Sequence, residues 1–306
     1  EALFPRLSDA FPTELPHSTC RLEDFLWAAA LIDTRAWATV AGEEVTSLVP
    51  AADMMNHHTF AQGSVQRVNR DASEQGSPTS IQDAVVTVLA PVKAGQQVFI
   101  YYGELSTASS LLRFGFASLP NPLDTVPFEL DLSELSDAHA AAMAAHGFRP
   151  DAQQLLRAGP PSWRLKAMLR LLHLSVDGGE EEALLAQIAA RDADPSSELS
   201  LENEAAMVSS LREVLLSMLA QYPSSLKHDL DLLGVAADSP MRRLVAECTE
   251  VQSADSEAAA MEEGAELTDG ARACLSHVAS QKLILAHNFM CVGEMERAIA
   301  LRRERS

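Results

Sequence analysis

Two short passages hold most of the residues able to do chemistry. The first, LVPAADMMNHH, runs from Leu48 to His58 and delivers Asp53, Asn56, His57 and His58 at the end of an apolar run. Polar groups in such a setting are drawn partly out of water and need partners, which a metal, the backbone or a bound small molecule would supply. The second, VFIYYGELSTASSLLRFGF, starts at Val98 and sets Tyr101 and Tyr102 ahead of a glycine and a Ser/Thr-capped helix. Successive strand side chains face opposite ways, so one phenol points inward and can present its hydroxyl to a ligand. Covering the following helix is the structural alternative for both rings.

The spacing argues against a metal. His57 and His58 are adjacent and diverge in any regular structure, Asp53 and His57 lack a third ligand nearby, and no H-x-x-x-H or H-E-x-x-H occurs. There is no G-x-S-x-G elbow for a nucleophilic serine. Neither G-x-G-x-x-G nor a Walker loop is present for a nucleotide.

At 306 residues and 47% hydrophobic, the chain has room for two globular domains. The low aromatic content, 5%, with abundant Ala and Leu, favours helices over a β-sandwich. The net charge of −20 repels a phosphate backbone, so nucleic acid is not an expected partner. The same charge suits a basic protein partner, or simply a solvated acidic surface. Cys20, Cys248, Cys274 and Cys291 form no C-x-x-C pair and read as reduced thiols of an intracellular protein. No apolar run approaches the about 18 residues that would span a bilayer, and no membrane partner is expected. The chain begins with Glu and shows no signal or transit pattern, so it is expected to be the later part of a longer protein.

The elements that must position the two passages differ along the chain. LEDFLWAAALIDTRAW, from Leu22 to Trp37, has a helical repeat in Phe25, Leu26, Ala29 and Ala30. Strands are expected at SVQRV from Ser64 and AVVTVLAPV from Ala84, with an exposed loop from Asn69 to Ser80 between them. A turn at Ala94-Gly95, a strand through Val98 to Tyr101 and a brief helix ending at Gly115 follow. A Pro-punctuated linker from Leu119 to Leu132 enters one extended segment. Helices are then predicted over Asp137–His146, Trp163–Leu174, Glu180–Arg191, Ser200–Tyr222 and Ala271–Arg305, with an acidic, Ala-rich stretch from Ala246 to Gly270. The expected fold class is α+β, a β-rich domain over residues 1–118 followed by an all-α domain over 119–306.

Together the two passages resemble the SET-domain protein methyltransferases, in particular the class of the plastid Rubisco large-subunit lysine methyltransferase. That class reads as a "LVPxADxxNH" segment, then "GxxVxIxYG", a "SNAE"-like helix cap and "GF". LWAAALIDTRAW is similar to its "W…SRxF" helix, and ARACLSHVASQKLIL to the end of its substrate-binding domain. The resemblance spans almost the whole chain, with specific motifs in the first half and texture in the second. It implies a SET portion, incomplete at its N-terminus because the family's Gly-x-Gly cofactor segment is absent, and a helical substrate-binding domain.

By position, the resemblance implies that Arg35, Asn56 and His57 line a pocket for S-adenosyl-L-methionine, the last two largely through backbone and amide contacts. It makes Tyr102 the catalytic tyrosine at the methyl-transfer channel, Tyr101 structural, Asp53 close to the substrate side chain, and His58 a surface residue. The implied partner is a protein presenting a target lysine to a monomeric enzyme, in the chloroplast or in the cytosol or nucleus. The family's cap Asn and following Glu are here Thr107 and Ser109, and a tyrosine common before "GF" is Phe114, which removes a hydroxyl from the target channel. Histidine methylation on the same fold and a catalytically inactive interaction module are the alternatives. The chemistry suits the residues. In-line displacement at a sulfonium methyl needs a neutral amine, whereas free lysine has a pKa near about 10.4. A tyrosine hydroxyl and carbonyl oxygens favour the spreading positive charge without a strong base or a metal.

Overall fold

A computed structural model describes residues 3–16, 21–40, 44–61, 63–69, 82–130, 136–149, 154–174, 180–189, 196–248 and 267–305. The chain forms two compact units, Glu1–Glu104 and Leu105–Ser306.

In the first unit, α1 (Leu3–Ala10) precedes α2 (Leu22–Arg35), and the Phe4 and Phe25 rings lie 5.4 Å apart. The expected helical repeat of α2 does form a helix, yet none of its residues is buried, and Trp27 is 68% exposed. A hairpin pairs β1 (Trp37–Val40) with β2 (Glu44–Ser47). The chain then passes a 3-10 turn, Ala52–Met54, entered through Ala51 at φ 71°, ψ −39°. That conformation is costly for a residue with a Cβ, and it aims the segment carrying Asp53. The strands β3 (Gly63–Asn69) and β4 (Gln82–Val88) pair antiparallel from Gly63↔Val88 to Asn69↔Gln82. The loop expected over 69–80 lies outside the described residues apart from Asn69, the last residue of β3.

The stretch expected to be a strand through Val98 to Tyr101 makes one bridge position, and it sits at the centre of the unit. Ile100, 3% exposed, bridges His57 on one side and Gly63 on the other, both parallel. A Cβ on Gly63 would stand 3.0 Å from the Phe99 carbonyl oxygen and 3.2 Å from Val98 Cγ1, so the glycine permits this close approach.

The second unit is helical because its sequence supplies starts as well as apolar faces. In it, α3 (Thr107–Phe114), α4 (Asp137–Ala145), α5 (Trp163–Leu172), α7 (Leu201–Leu219), α8 (Leu226–Leu232), α9 (Pro240–Glu247) and α10 (Asp269–Arg303) each follow a Ser or Thr. The side chain of that residue accepts a first-turn backbone N–H. The remaining helix there is α6 (Glu180–Ala189), and the predicted end at Arg191 lies outside the described residues. Most of the acidic stretch from Ala246 to Gly270 lies outside them too. The expected single extended segment is a two-stranded sheet of β5 (Val126–Phe128) and β6 (Gln154–Leu156), so this unit is not wholly helical.

At its centre α10 is buried on every side, with Lys282 to Ala286 all buried, as a helix enclosed by neighbours must be. Lys282, 1% exposed, donates to Asp229 Oδ2 at 2.6 Å and to the Ser224 carbonyl at 2.6 Å, while Ser224 Oγ donates to Asp229 Oδ1 at 2.7 Å. Burial lowers the Lys282 pKa, opposed by Asp229. Arg170 of α5 grips Glu204 of α7 in a second buried pair, which also reaches the Ser196 carbonyl at 2.7 Å. Such pairs fix register where unpaired charge would be costly.

The compact division between Glu104 and Leu105 falls ahead of the expected domain boundary at 118/119, and a buried carboxylate accounts for it. Asp124, 3% exposed, accepts from the Thr107 hydroxyl at 2.6 Å, from the Thr107 backbone N–H and from the Ser280 hydroxyl of α10. This ties the start of α3 to the helical unit. The cap of α3 is Ser106, accepting from Ser109 N–H at 3.1 Å, while Thr107 is the first helical residue.

Candidate active site

The site residues read from the sequence converge on the crossing of residues 53–58 with 97–102. Ile100 N–H donates to the Asn56 carbonyl at 2.9 Å, and His58 N–H donates to the Ile100 carbonyl at 3.1 Å. A parallel bridge of this kind turns the backbone N–H and C=O of His57 itself toward the opposite edge.

Tyr102 is half-buried and held at both ends. Its backbone N–H donates to His57 Nδ1 at 3.1 Å, and its hydroxyl donates to the Met55 carbonyl at 2.6 Å. With its proton committed to Met55, the phenol oxygen presents lone pairs elsewhere and acts as an acceptor. Burial raises the Tyr102 pKa above the ordinary phenol value, with Arg35 opposing, so the group is a neutral hydroxyl near pH 7 rather than a phenolate base. Tyr101 is 47% exposed, and its ring lies 5.7 Å from that of His57.

Arg35, the last residue of α2, donates from Nη1 to the Asp53 carbonyl at 3.1 Å and contacts Met54 Sδ at 3.1 Å. The structure thus brings Arg35 to the backbone of Asp53 rather than to its carboxylate. Asn56 Nδ2 donates to Gln97 Oε1 at 2.8 Å, which leaves Asn56 Oδ1 as an acceptor. Burial pushes the His57 imidazole below its ordinary range, and neighbouring His58 acts in the same direction. His58 is exposed, and its Nδ1 accepts from Phe60 N–H at 3.0 Å. Among the described residues no group of three or more His, Cys, Asp or Glu side chains is placed to hold a metal ion. No helix among them is long and apolar enough to cross a membrane.

Three contributors escaped sequence reasoning. Met55 acts through its carbonyl, which no side-chain pattern reveals. Gln97 and Gly63 sit in ordinary turn and strand contexts, and the only signal for Gly63 is a glycine opening a β-branched run.

Comparison with known proteins agrees with the motifs. The family model described as Rubisco LSMT substrate-binding matches residues 133–285, half of the chain, and the chain belongs to that family. It is 26% identical over 234 residues to the chloroplastic [fructose-bisphosphate aldolase]-lysine N-methyltransferase of Arabidopsis thaliana, covering 72% of this chain and 46% of that protein. It is 28% identical over 223 residues to the chloroplastic ribulose-1,5 bisphosphate carboxylase/oxygenase large subunit N-methyltransferase of Pisum sativum, covering 69% and 44%. Over 143 residues, 46% of this chain and 21% of the relative, it is 29% identical to human actin-histidine N-methyltransferase. The chain therefore spans less than half the length of these curated relatives. Among solved structures, the SET domain of LSMT bound to lysine and AdoHcy superposes with a TM-score of 0.59 at 20% identity, over 97% of this chain and 63% of that one. Rubisco LSMT bound to AdoMet gives 0.54 at 19%, over 98% and 62%. The fold is α+β, that of a SET domain with a substrate-binding domain.

Proposed function

We propose that this chain belongs to an S-adenosyl-L-methionine-dependent protein-lysine N-methyltransferase, with residues 1–118 contributing the SET portion and 119–306 docking the protein substrate. The observation that carries this reading is the crossing of residues 53–58 with 97–102, where Arg35, Asp53, Asn56, His57 and Tyr102 meet. The donor set fits the cofactor. A guanidinium and a neutral amide oxygen suit the carboxylate and the ammonium of an amino-acid moiety, the roles assigned to Arg35 and Asn56. The backbone of His57 lines the same pocket.

Bound S-adenosyl-L-methionine supplies an electrophilic methyl group on a sulfonium. Tyr102, its own proton held by Met55, accepts a hydrogen bond from the incoming amine and keeps its lone pair in line. Its oxygen also favours the positive charge that spreads at the reacting centre. Asp53 lies near the substrate side chain and favours a cationic residue on approach, and the net charge of −20 suits a basic protein surface over nucleic acid. The protein works as a monomer, and the names of the two plant relatives favour a plastid over cytosol or nucleus.

Radiolabelled methyl transfer by the intact protein, with aldolase and Rubisco large subunit as acceptors and mass spectrometry to locate the methyl group, tests the reading. Label on a lysine Nε is expected. Label on a histidine ring nitrogen would replace lysine by histidine as the target, the alternative that the likeness to the actin-histidine enzyme raises. Cofactor binding with no transfer to any acceptor would contradict the enzymatic reading in favour of an interaction module.

A further inference from the structure

We infer that His57 is a positioning residue for Tyr102, its imidazole Nδ1 taking the place of a backbone carbonyl at the point where strand pairing stops. The inference deepens the proposed function and rests on it for the role of Tyr102. In a parallel ladder the bonds from Ile100 N–H to the Asn56 carbonyl and from His58 N–H to the Ile100 carbonyl would be followed by one from Tyr102 N–H to the His58 carbonyl. The structure departs from that pattern at this step. The chain turns at His58, whose ring accepts from Phe60 N–H at 3.0 Å, and Tyr102 N–H goes to His57 Nδ1 at 3.1 Å.

Tyr102 is thereby clamped by two acceptors from one short segment, His57 Nδ1 at its backbone and the Met55 carbonyl, 2.6 Å away, at its hydroxyl. The imidazole is also wedged against the rings of Tyr102 and Tyr101, with centroids 5.3 and 5.7 Å away. Accepting from a backbone N–H requires Nδ1 to be bare, so the neutral ring carries its proton on Nε2. Loss of His57's acceptor would leave a half-buried amide seeking another partner, and the hydroxyl at the far end of the same residue would move with it. Misplacement by about 1 Å at a reacting centre costs on the order of 10²-fold in rate.

The test uses the intact protein with two substitutions. Asn places an acceptor oxygen where Nδ1 stands, whereas Leu fills similar space without one. For His57→Leu, kcat is expected to fall by about 10–100-fold. His57→Asn should recover most of the rate. An Asn variant as impaired as the Leu variant would overturn the inference. The imidazole 15N shifts of His57 give a readout that needs no activity. An Nε2-protonated tautomer is expected, and an Nδ1-protonated ring would overturn the inference even if methyl transfer proceeds. Absence of methyl transfer in the wild type together with the Nε2-protonated tautomer would refute the proposed function and leave the His57–Tyr102 contact standing.

Discussion

At the scale of single residues, the candidate site is organised by what the backbone offers. Tyr102 finds its partners in the Met55 carbonyl and the His57 ring, Arg35 finds the Asp53 carbonyl, and Asn56 finds Gln97. All of this depends on the 56–58 segment and β3 closing on Ile100 from either side. Gly63 is the contact that closes most tightly, and a methyl group there would press on the Phe99 carbonyl, which is backbone and cannot swing aside. Gly63→Ala is therefore expected to destabilise the protein by about 1–3 kcal/mol, the usual range for overpacking. Denaturant unfolding of the variant measures it, and an unchanged midpoint would show that the approach is looser than described. The motif spacing in the sequence brought Asp53, Asn56, His57 and Tyr102 to notice because their types are unusual in an apolar run. The partners stayed hidden because a carbonyl oxygen carries no side-chain signature.

At the scale of elements, α3 shows that a Pro-rich run can be part of a packed unit. The Pro-rich run after Leu119 suggests a linker, yet Asp124 within it is buried against Thr107 and Ser280, and α3 packs against α10. Removing α3 would leave Asp124 without two of its three donors, and a buried carboxylate short of partners is costly. A fragment covering Leu105–Ser306 should unfold cooperatively on its own, and one covering Leu119–Ser306 should be less stable by about 1–3 kcal/mol. Thermal melts of both fragments decide it; equal midpoints would mean that the Asp124 cluster contributes nothing. The long helices of the second unit were legible from their apolar repeats, and a Ser or Thr stands before those other than α6. Helix α1 was not, since Pro5 reads as a breaker although a proline is tolerated in the first turn. β6 was hidden because three residues, Gln154–Leu156, are too short to show an alternation.

At the scale of the whole molecule, fold class and family were legible because specific motifs lie in the first half and a continuous helical texture in the second. The exposure of α2 was not foreseen, because periodicity predicts a helix with an apolar stripe but not what covers the stripe. Methyl transfer is expected to depend on the hydroxyl of Tyr102. The most direct test of this dependence is the single-turnover rate of methyl transfer for Tyr102→Phe in the intact protein, with cofactor saturating and Tyr101→Phe as control. Tyr102→Phe keeps the ring and its backbone contact to His57 while removing the bond to Met55 and the oxygen proposed to face the amine. A hydroxyl that matters in the transition state more than in the ground state lowers the rate and leaves cofactor affinity nearly unchanged. The expected loss is about 10²–10³-fold for Tyr102→Phe, the size typical of one preorganised polar contact, with little change for Tyr101→Phe. Equal rates for wild type and Tyr102→Phe would contradict that dependence.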